Sequence, residues 1–164
     1  MIDLLFKHGL RSAYIIDSYT HAHHVYGARD LKCKTIAKLV MHEEAPSGAI
    51  DIRVKDGDRL ALVDLSLKFL HTPGHAKDLV SILLPGRILT ADALLIGSAA
   101  GRISSMAMPS GSTTPSTTPT RASPTSWKCG PADDYKGRSS STLGDEKRDN
   151  PKMLFGSEEE FVRY

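Results

Sequence analysis

Tyr19-Thr20-His21-Ala22-His23-His24 places a phenol and three imidazoles within six residues, directly after the apolar run Ala13-Tyr14-Ile15-Ile16-Asp17. The apolar run reads as a buried strand, and the polar stretch after it as the loop at that strand's end. Neighbouring side chains on an extended segment point to opposite faces, so three histidines in four residues do not serve one packed core. Neutral imidazole is the commonest metal ligand, and a histidine-rich loop after a strand suits a metal centre. A solvated histidine patch is the plain alternative.

Two further positions extend this constellation. His75 follows the turn Thr72-Pro73-Gly74 after a strand, which holds its imidazole out from a sheet edge. Asp92 stands between the strand at 88–90 and the apolar run Ala93-Leu94-Leu95-Ile96. A carboxylate so close to a buried segment is costly unless it is paired or binds a metal. Four of the seven histidines, namely His21, His23, His24 and His75, belong to the constellation.

Composition limits the remaining choices. With 164 residues, 40% of them hydrophobic and 24% charged, the chain makes one domain, whose core needs the whole length. Net charge is +2 with lysine and arginine dispersed, so no basic stripe points to nucleic acid. The apolar run at 79–84 is too short for a bilayer, and the N-terminus lacks the pattern of a signal peptide. The expectation is a cytoplasmic protein with no membrane partner. Cys33 and Cys129 have neither the number nor the spacing of a disulfide framework and read as free thiols.

Along the chain, residues 2–8 read as a short helix closed by Gly9, and residues 27–37 as a second helix. Strands follow at 50–54, 59–63, 66–70, 79–84 and 88–90, separated by Lys55-Asp56-Gly57-Asp58, Thr72-Pro73-Gly74 and Pro85-Gly86-Arg87. This is an α/β layout, rich in strands at its middle. From 103 to 126 serine, threonine and proline dominate, and such a tract buries too little apolar surface to offset the entropy of ordering. The expected division is a partial domain at 1–102, a disordered or out-of-frame segment at 103–130, and a C-terminal remnant of the same domain at 131–164. Ser157-Glu158-Glu159-Glu160 opens a last helix with a capping-box pattern.

In order along the chain, the histidine loop, Gly27-Ala28-Arg29-Asp30-Leu31, His71-Thr72-Pro73-Gly74-His75, Leu89-Thr90-Ala91-Asp92-Ala93-Leu94-Leu95-Ile96 and Asp134-Tyr135-Lys136-Gly137-Arg138 resemble the metallo-β-lactamase-fold superfamily. Within it, the chain looks most like the glutathione persulfide dioxygenases, relatives of the glyoxalase II thioester hydrolases. The resemblance covers roughly 1–102 and 131–162 and implies an αββα sandwich, here incomplete, with a metal at one edge of its two sheets. Such proteins also have two or more strands before the segment that begins here at Met1.

The resemblance also implies the site. The first-loop pattern has Tyr19 in place of a histidine, keeps His21, replaces an aspartate by His23 and keeps His24. In persulfide dioxygenases the iron(II) ligands fall at the positions of Tyr19, His75 and Asp92, so two carry over and Tyr19 does not. A phenol, of pKa about 10, favours iron(III) or no metal over iron(II). Asp133 also replaces a histidine of the family's pattern. Tyr135 and Arg138 fall where glutathione carboxylates are held, with a solvated basic loop as the alternative.

The polar tract has a reading-frame explanation. Met106 and Met108 each have one codon, and reading from the third base of Ser105 forces glycine and alanine into the second and fourth shifted positions. The shifted frame permits His-Gly-Asp-Ala-Glu-Arg-Leu-Tyr-Asp-Ser, which resembles the family's helix, and across 126–130 it permits the strand Leu-Glu-Val-Trp. Resequencing codons 100 to 135 tests this: an extra or missing base makes the tract a sequencing artefact, and confirmation of the frame means that the cell encodes the tract and that the chain is an inactive or partly folded relative.

The implied function is oxidation of glutathione persulfide to sulfite by iron, with no nucleophilic residue and with activity impaired by the loss of one ligand. One alternative is a zinc thioester hydrolase acting on another glutathione derivative through metal-bound water. The other is a non-catalytic remnant that binds metal or thiols.

Overall fold

The computed structural model describes residues 2–20, 25–98, 123–132, 137–138 and 140–153. Its elements are α1 (Ile2–Lys7), β1 (Tyr14–Ile16), α2 (Val25–Lys34), β2 (Lys38–His42), β3 (Ile52–Val54), β4 (Arg59–Leu62) and β5 (Leu65–His71). They continue with β6 (Val80–Leu84), β7 (Arg87–Ala91), β8 (Lys128–Pro131), β9 (Ser141–Thr142), α3 (Leu143–Asp149) and a 3-10 turn at Pro151–Met153.

Two sheets result. β1, β2 and β3 pair in parallel, whereas β4 to β9 form a second sheet in chain order, antiparallel except at β7 and β8. Side-chain alternation sorts their residues into three packed layers. Val40 and Val54 of the first sheet meet Leu67, Phe69, Val80 and Ile82 of the second. Leu39 and Met41 point the other way, toward Ala28 of α2. Leu70, Ile88 and Cys129 leave the outer face of the second sheet to pack with Leu143 of α3. The order helix, sheet, sheet, helix is the αββα sandwich expected.

β1 and β2 run in one direction within the first sheet, and β5, β7 and β8 run in one direction within the second, because antiparallel β6 sits between β5 and β7 and β7 pairs with β8 in parallel; the end of β1 meets the end of β5, where Ser18 bonds the start of β6. That shared edge is where loops from both sheets converge. A cross-link fixes the sheets there: the Val80 amide donates to Ser18 O at 2.8 Å.

The structure differs from the sequence expectations in places. β2 was not expected, and the second helix ends at Lys34 rather than continuing to residue 37. The described residues resume at Ser123, and Lys128 to Pro131, read in the given frame, form β8. Cys129 supplies the reason: it is buried among Ile88, Leu94 and Leu143. Burial pushes its thiol pKa up to about 11. Cys33 is exposed, and both cysteines are free. Residues 103–122 and the helix expected at 157–160 lie outside the described residues.

One turn is strained. Leu62 pairs with Leu65, so Val63 and Asp64 make a two-residue hairpin loop, and Val63 adopts φ 52°. That region favours glycine at the first position of such a turn. Since Val63 is 93% exposed, Val63→Gly sacrifices no packing. It is expected to stabilise the fold by about 1 kcal/mol, read as a higher urea midpoint at unchanged slope.

Candidate metal centre

Three of the residues singled out from sequence meet at the convergent edge. Tyr19 arrives three residues beyond β1, His75 four beyond β5, and Asp92 immediately after β7. The Tyr19 hydroxyl donates to Asp92 Oδ2 at 2.5 Å. His75 Nε2 lies 3.6 Å from the same oxygen. The Tyr19 and His75 rings meet edge to face with centroids 5.2 Å apart. Tyr19 and Asp92 are buried, at 3% and 6% exposure, while the His75 side chain is about a quarter exposed, at 28%.

Supporting contacts explain how the chain holds this arrangement. Asp78 Oδ2 accepts from both the Thr20 amide (2.8 Å) and the Thr20 hydroxyl (2.6 Å), tying the start of the histidine loop to the turn after His75. Ala91 takes φ 47°, a left-handed conformation that turns the chain off β7 just before Asp92. Such strain in a residue with a Cβ costs about 1–2 kcal/mol and persists only where its surroundings enforce it. Here Thr90 Oγ1 donates to Leu94 O (2.7 Å) and the Ala93 amide to Thr90 O (3.0 Å), closing the turn.

The turn is clamped from the far side by α3. Glu146 Oε2 accepts from the Gly97 amide (2.8 Å) and from Asn150 Nδ2 (2.7 Å), and Asn150 Nδ2 also donates to Leu95 O (3.3 Å) and Ser98 O (2.9 Å). Asn150 is fully buried. Asn150→Ala removes the donor and strands buried acceptors, so a loss of about 2–4 kcal/mol is expected in denaturant unfolding.

The remaining expected site residues stand differently. His21, His24 and Tyr135 lie outside the described residues, as do His23 and Asp133. Arg138 is exposed. The Ala132 amide donates to Ala91 O at 3.2 Å, so the end of β8 lies beside the turn that carries Asp92.

A second cluster, not expected from sequence, lies on the same edge. His42 ends β2, His71 ends β5, and their rings stack with centroids 4.0 Å apart. Ligand atoms of His42, Glu44 and His71 lie within 4.8 Å of one another. Burial, then the adjacent His71, lowers the His42 pKa below the ordinary histidine value, against the opposing pull of Glu44, Glu43 and Asp78.

Solved structures share this architecture. A structure of ETHE1 from Myxococcus xanthus superposes with TM-score 0.85 at 26% identity, covering 99% of this chain and 72% of that one. Solved metallo-β-lactamases superpose as well. The chain has the metallo-β-lactamase fold. Among curated proteins, the hydroxyacylglutathione hydrolase of Rhodopseudomonas palustris (strain BisB5) is 33% identical over 106 residues, which are 63% of this chain and 42% of that protein. The persulfide dioxygenase ETHE1 of Homo sapiens is 28% identical over 95 residues, 54% of this chain and 35% of that protein. The chain thus matches less than half the length of either of these metallo-β-lactamase-fold relatives. No family model matches the chain. Among the described residues, no helix is long and apolar enough to cross a membrane.

The donor set fits a metal. Asp92 Oδ1 is buried with no hydrogen-bond partner among the described residues. An orphaned carboxylate oxygen costs about 1–3 kcal/mol or more, and a cation is the usual remedy. A phenol, an imidazole and a carboxylate offer oxygen and nitrogen donors suited to iron or zinc.

Proposed function

We propose that the chain is a metal-binding protein related to the persulfide dioxygenases, with Tyr19, His75 and Asp92 as metal ligands and a glutathione persulfide as substrate. The observation that carries this reading is the convergence of Tyr19 and His75 on the buried Asp92 carboxylate, whose second oxygen lacks a partner among the described residues. His21 and His24 are further ligand candidates, and Tyr135 and Arg138 would hold the carboxylates of glutathione. Iron held at such a site supplies open coordination positions to a sulfur substrate and to dioxygen.

The chain's own residues set the terms for this centre. Tyr19 keeps a proton between its oxygen and Asp92 Oδ2, and that proton must leave before the phenol oxygen can serve as a ligand. A strongly acidic ion displaces a phenolic proton more readily than a weakly acidic one, so iron(III) is favoured over iron(II). Low dioxygenase activity follows from that preference. Burial of Tyr19 and Asp92 limits the access of water to them, and His75 is the most exposed of the three.

A second reading rests on the 33% identity to a hydroxyacylglutathione hydrolase, and makes the chain a zinc thioester hydrolase. One experiment separates the two. Protein purified without metal is loaded with iron or zinc, then offered glutathione persulfide while oxygen uptake is followed, and separately offered lactoylglutathione. Oxygen uptake that requires iron supports the dioxygenase, and thioester cleavage that requires zinc supports the hydrolase. With neither activity in a folded, loaded protein, the proposal reduces to a metal-binding remnant and the enzymatic part is overturned.

A further inference from the structure

We infer that His42, Glu44 and His71 form a second metal site, separate from Tyr19, His75 and Asp92, which takes a zinc-type divalent ion and ties the two sheets together. The cluster draws on both sheets: His42 closes β2 of the first, His71 closes β5 of the second, and Glu44 stands on the turn just after β2. Two imidazoles and a carboxylate are a common ligand set for zinc, leaving a fourth position for water. Their ligand atoms lie within 4.8 Å of one another, against the roughly 3.4 Å implied by zinc bonds of about 2.1 Å in a tetrahedron. Loading therefore requires a small inward movement and no rearrangement of strands.

The surroundings hold each ligand ready. Arg53 donates from Nη1 to Glu43 O (2.7 Å) and Ala45 O (2.9 Å), and from Nη2 to Ser47 O (2.7 Å), which fastens the turn on either side of Glu44. Lys55 pairs with Glu43 at 3.1 Å, whereas the Glu44 carboxylate has no ion-pair partner among the described residues. His71 Nε2 lies 2.7 Å from the Lys77 carbonyl, an acceptor only, so this nitrogen carries the proton and Nδ1 presents the lone pair. A backbone carbonyl on the far nitrogen is the usual orienting partner of a metal-bound histidine. His42 Nδ1 accepts the Glu44 amide over 3.3 Å, a long contact that a metal bond would replace.

The two rings stack with planes 17° apart. Lone pairs of parallel, stacked imidazoles do not meet at one ion, so loading tilts a ring. His42 is 3% exposed and held in the interior, whereas His71 is only half-buried and is the ring that tilts, pivoting on its bond to Lys77 O. Such an ion would pin the root of the loop that carries His75, four residues beyond His71.

The test uses the full chain carrying Asp92→Asn, which disables the first site, and follows zinc by equilibrium dialysis. One equivalent is expected to bind, and the further change His71→Ala should weaken it at least tenfold. Glu44→Gln, on an exposed side chain that does not support the fold, should also weaken it about tenfold and guards against misfolding of the histidine variant. Zinc binding that is absent, or that is indifferent to both changes, overturns the second site. Neither result bears on the first site, which has been removed in every sample.

Discussion

Tyr19→His is expected to raise iron(II) affinity by roughly ten- to a hundredfold, the range by which even outer contacts of a metal site alter binding. The phenol occupies one lone pair of Asp92 Oδ2 with a 2.5 Å hydrogen bond and brings a proton that must be expelled. An imidazole there supplies a neutral nitrogen and completes two histidines and one carboxylate, a facial set suited to iron(II). The same change should cost the metal-free protein about 1–3 kcal/mol, because Tyr19 packs with Leu70, Leu79 and Ala91 at 3% exposure and histidine is smaller. Affinity and stability therefore move in opposite directions. Anaerobic competition against a coloured chelator reads the first, and urea unfolding without metal reads the second. Tyr19→Phe is the control: it keeps the ring, removes the donor to Asp92, and should not gain iron. Unchanged iron affinity in a folded Tyr19→His protein would remove Tyr19 from the ligand set.

Legibility in the sequence followed how local each signal was. His75 and Asp92 could be picked out because each stands at the exit of a strand with its own turn chemistry, and the structure places both at one edge with Tyr19. β2 was missed because Leu39, Val40, Met41 and His42 are all buried, so the strand lacks the alternation that marks a half-buried one. α3 was missed for the opposite reason. Leu143 is its one large apolar residue, and the helix is anchored by the buried polar groups Glu146 and Asn150 instead of an apolar stripe. A signal was present, since Thr142 caps the helix by accepting the Asp145 amide at 3.1 Å, a pattern visible as threonine followed three residues later by an acid. The cluster of His42, Glu44 and His71 had no such signal. Its members are brought together only by the pairing of ends from two sheets, a relation that no local motif records.

Asp92→Asn should abolish the stabilisation that metal gives, with little loss of stability in the metal-free protein. The wild-type carboxylate is buried, takes one hydrogen bond from Tyr19 and lies 3.6 Å from His75, yet its Oδ1 has no partner among the described residues. A buried charge that is only half satisfied is a burden on the metal-free fold, and the isosteric amide removes the charge while still accepting from Tyr19. At a free metal concentration a hundred times Kd, an ion bound only to the native state adds about 2.7 kcal/mol. For a chain of this size that is a rise in Tm of roughly 5–10 °C. The comparison belongs in a His71→Ala background, so that the second cluster contributes nothing. There the chain with Asp92 should show the rise, and the Asp92→Asn chain none. Equal shifts in the two would mean that Asp92 is kept for its bond to Tyr19 and that the metal binds elsewhere. A shift confined to the carboxylate would instead give the strained Ala91 turn a purpose, since it holds in place a group that the fold alone does not need.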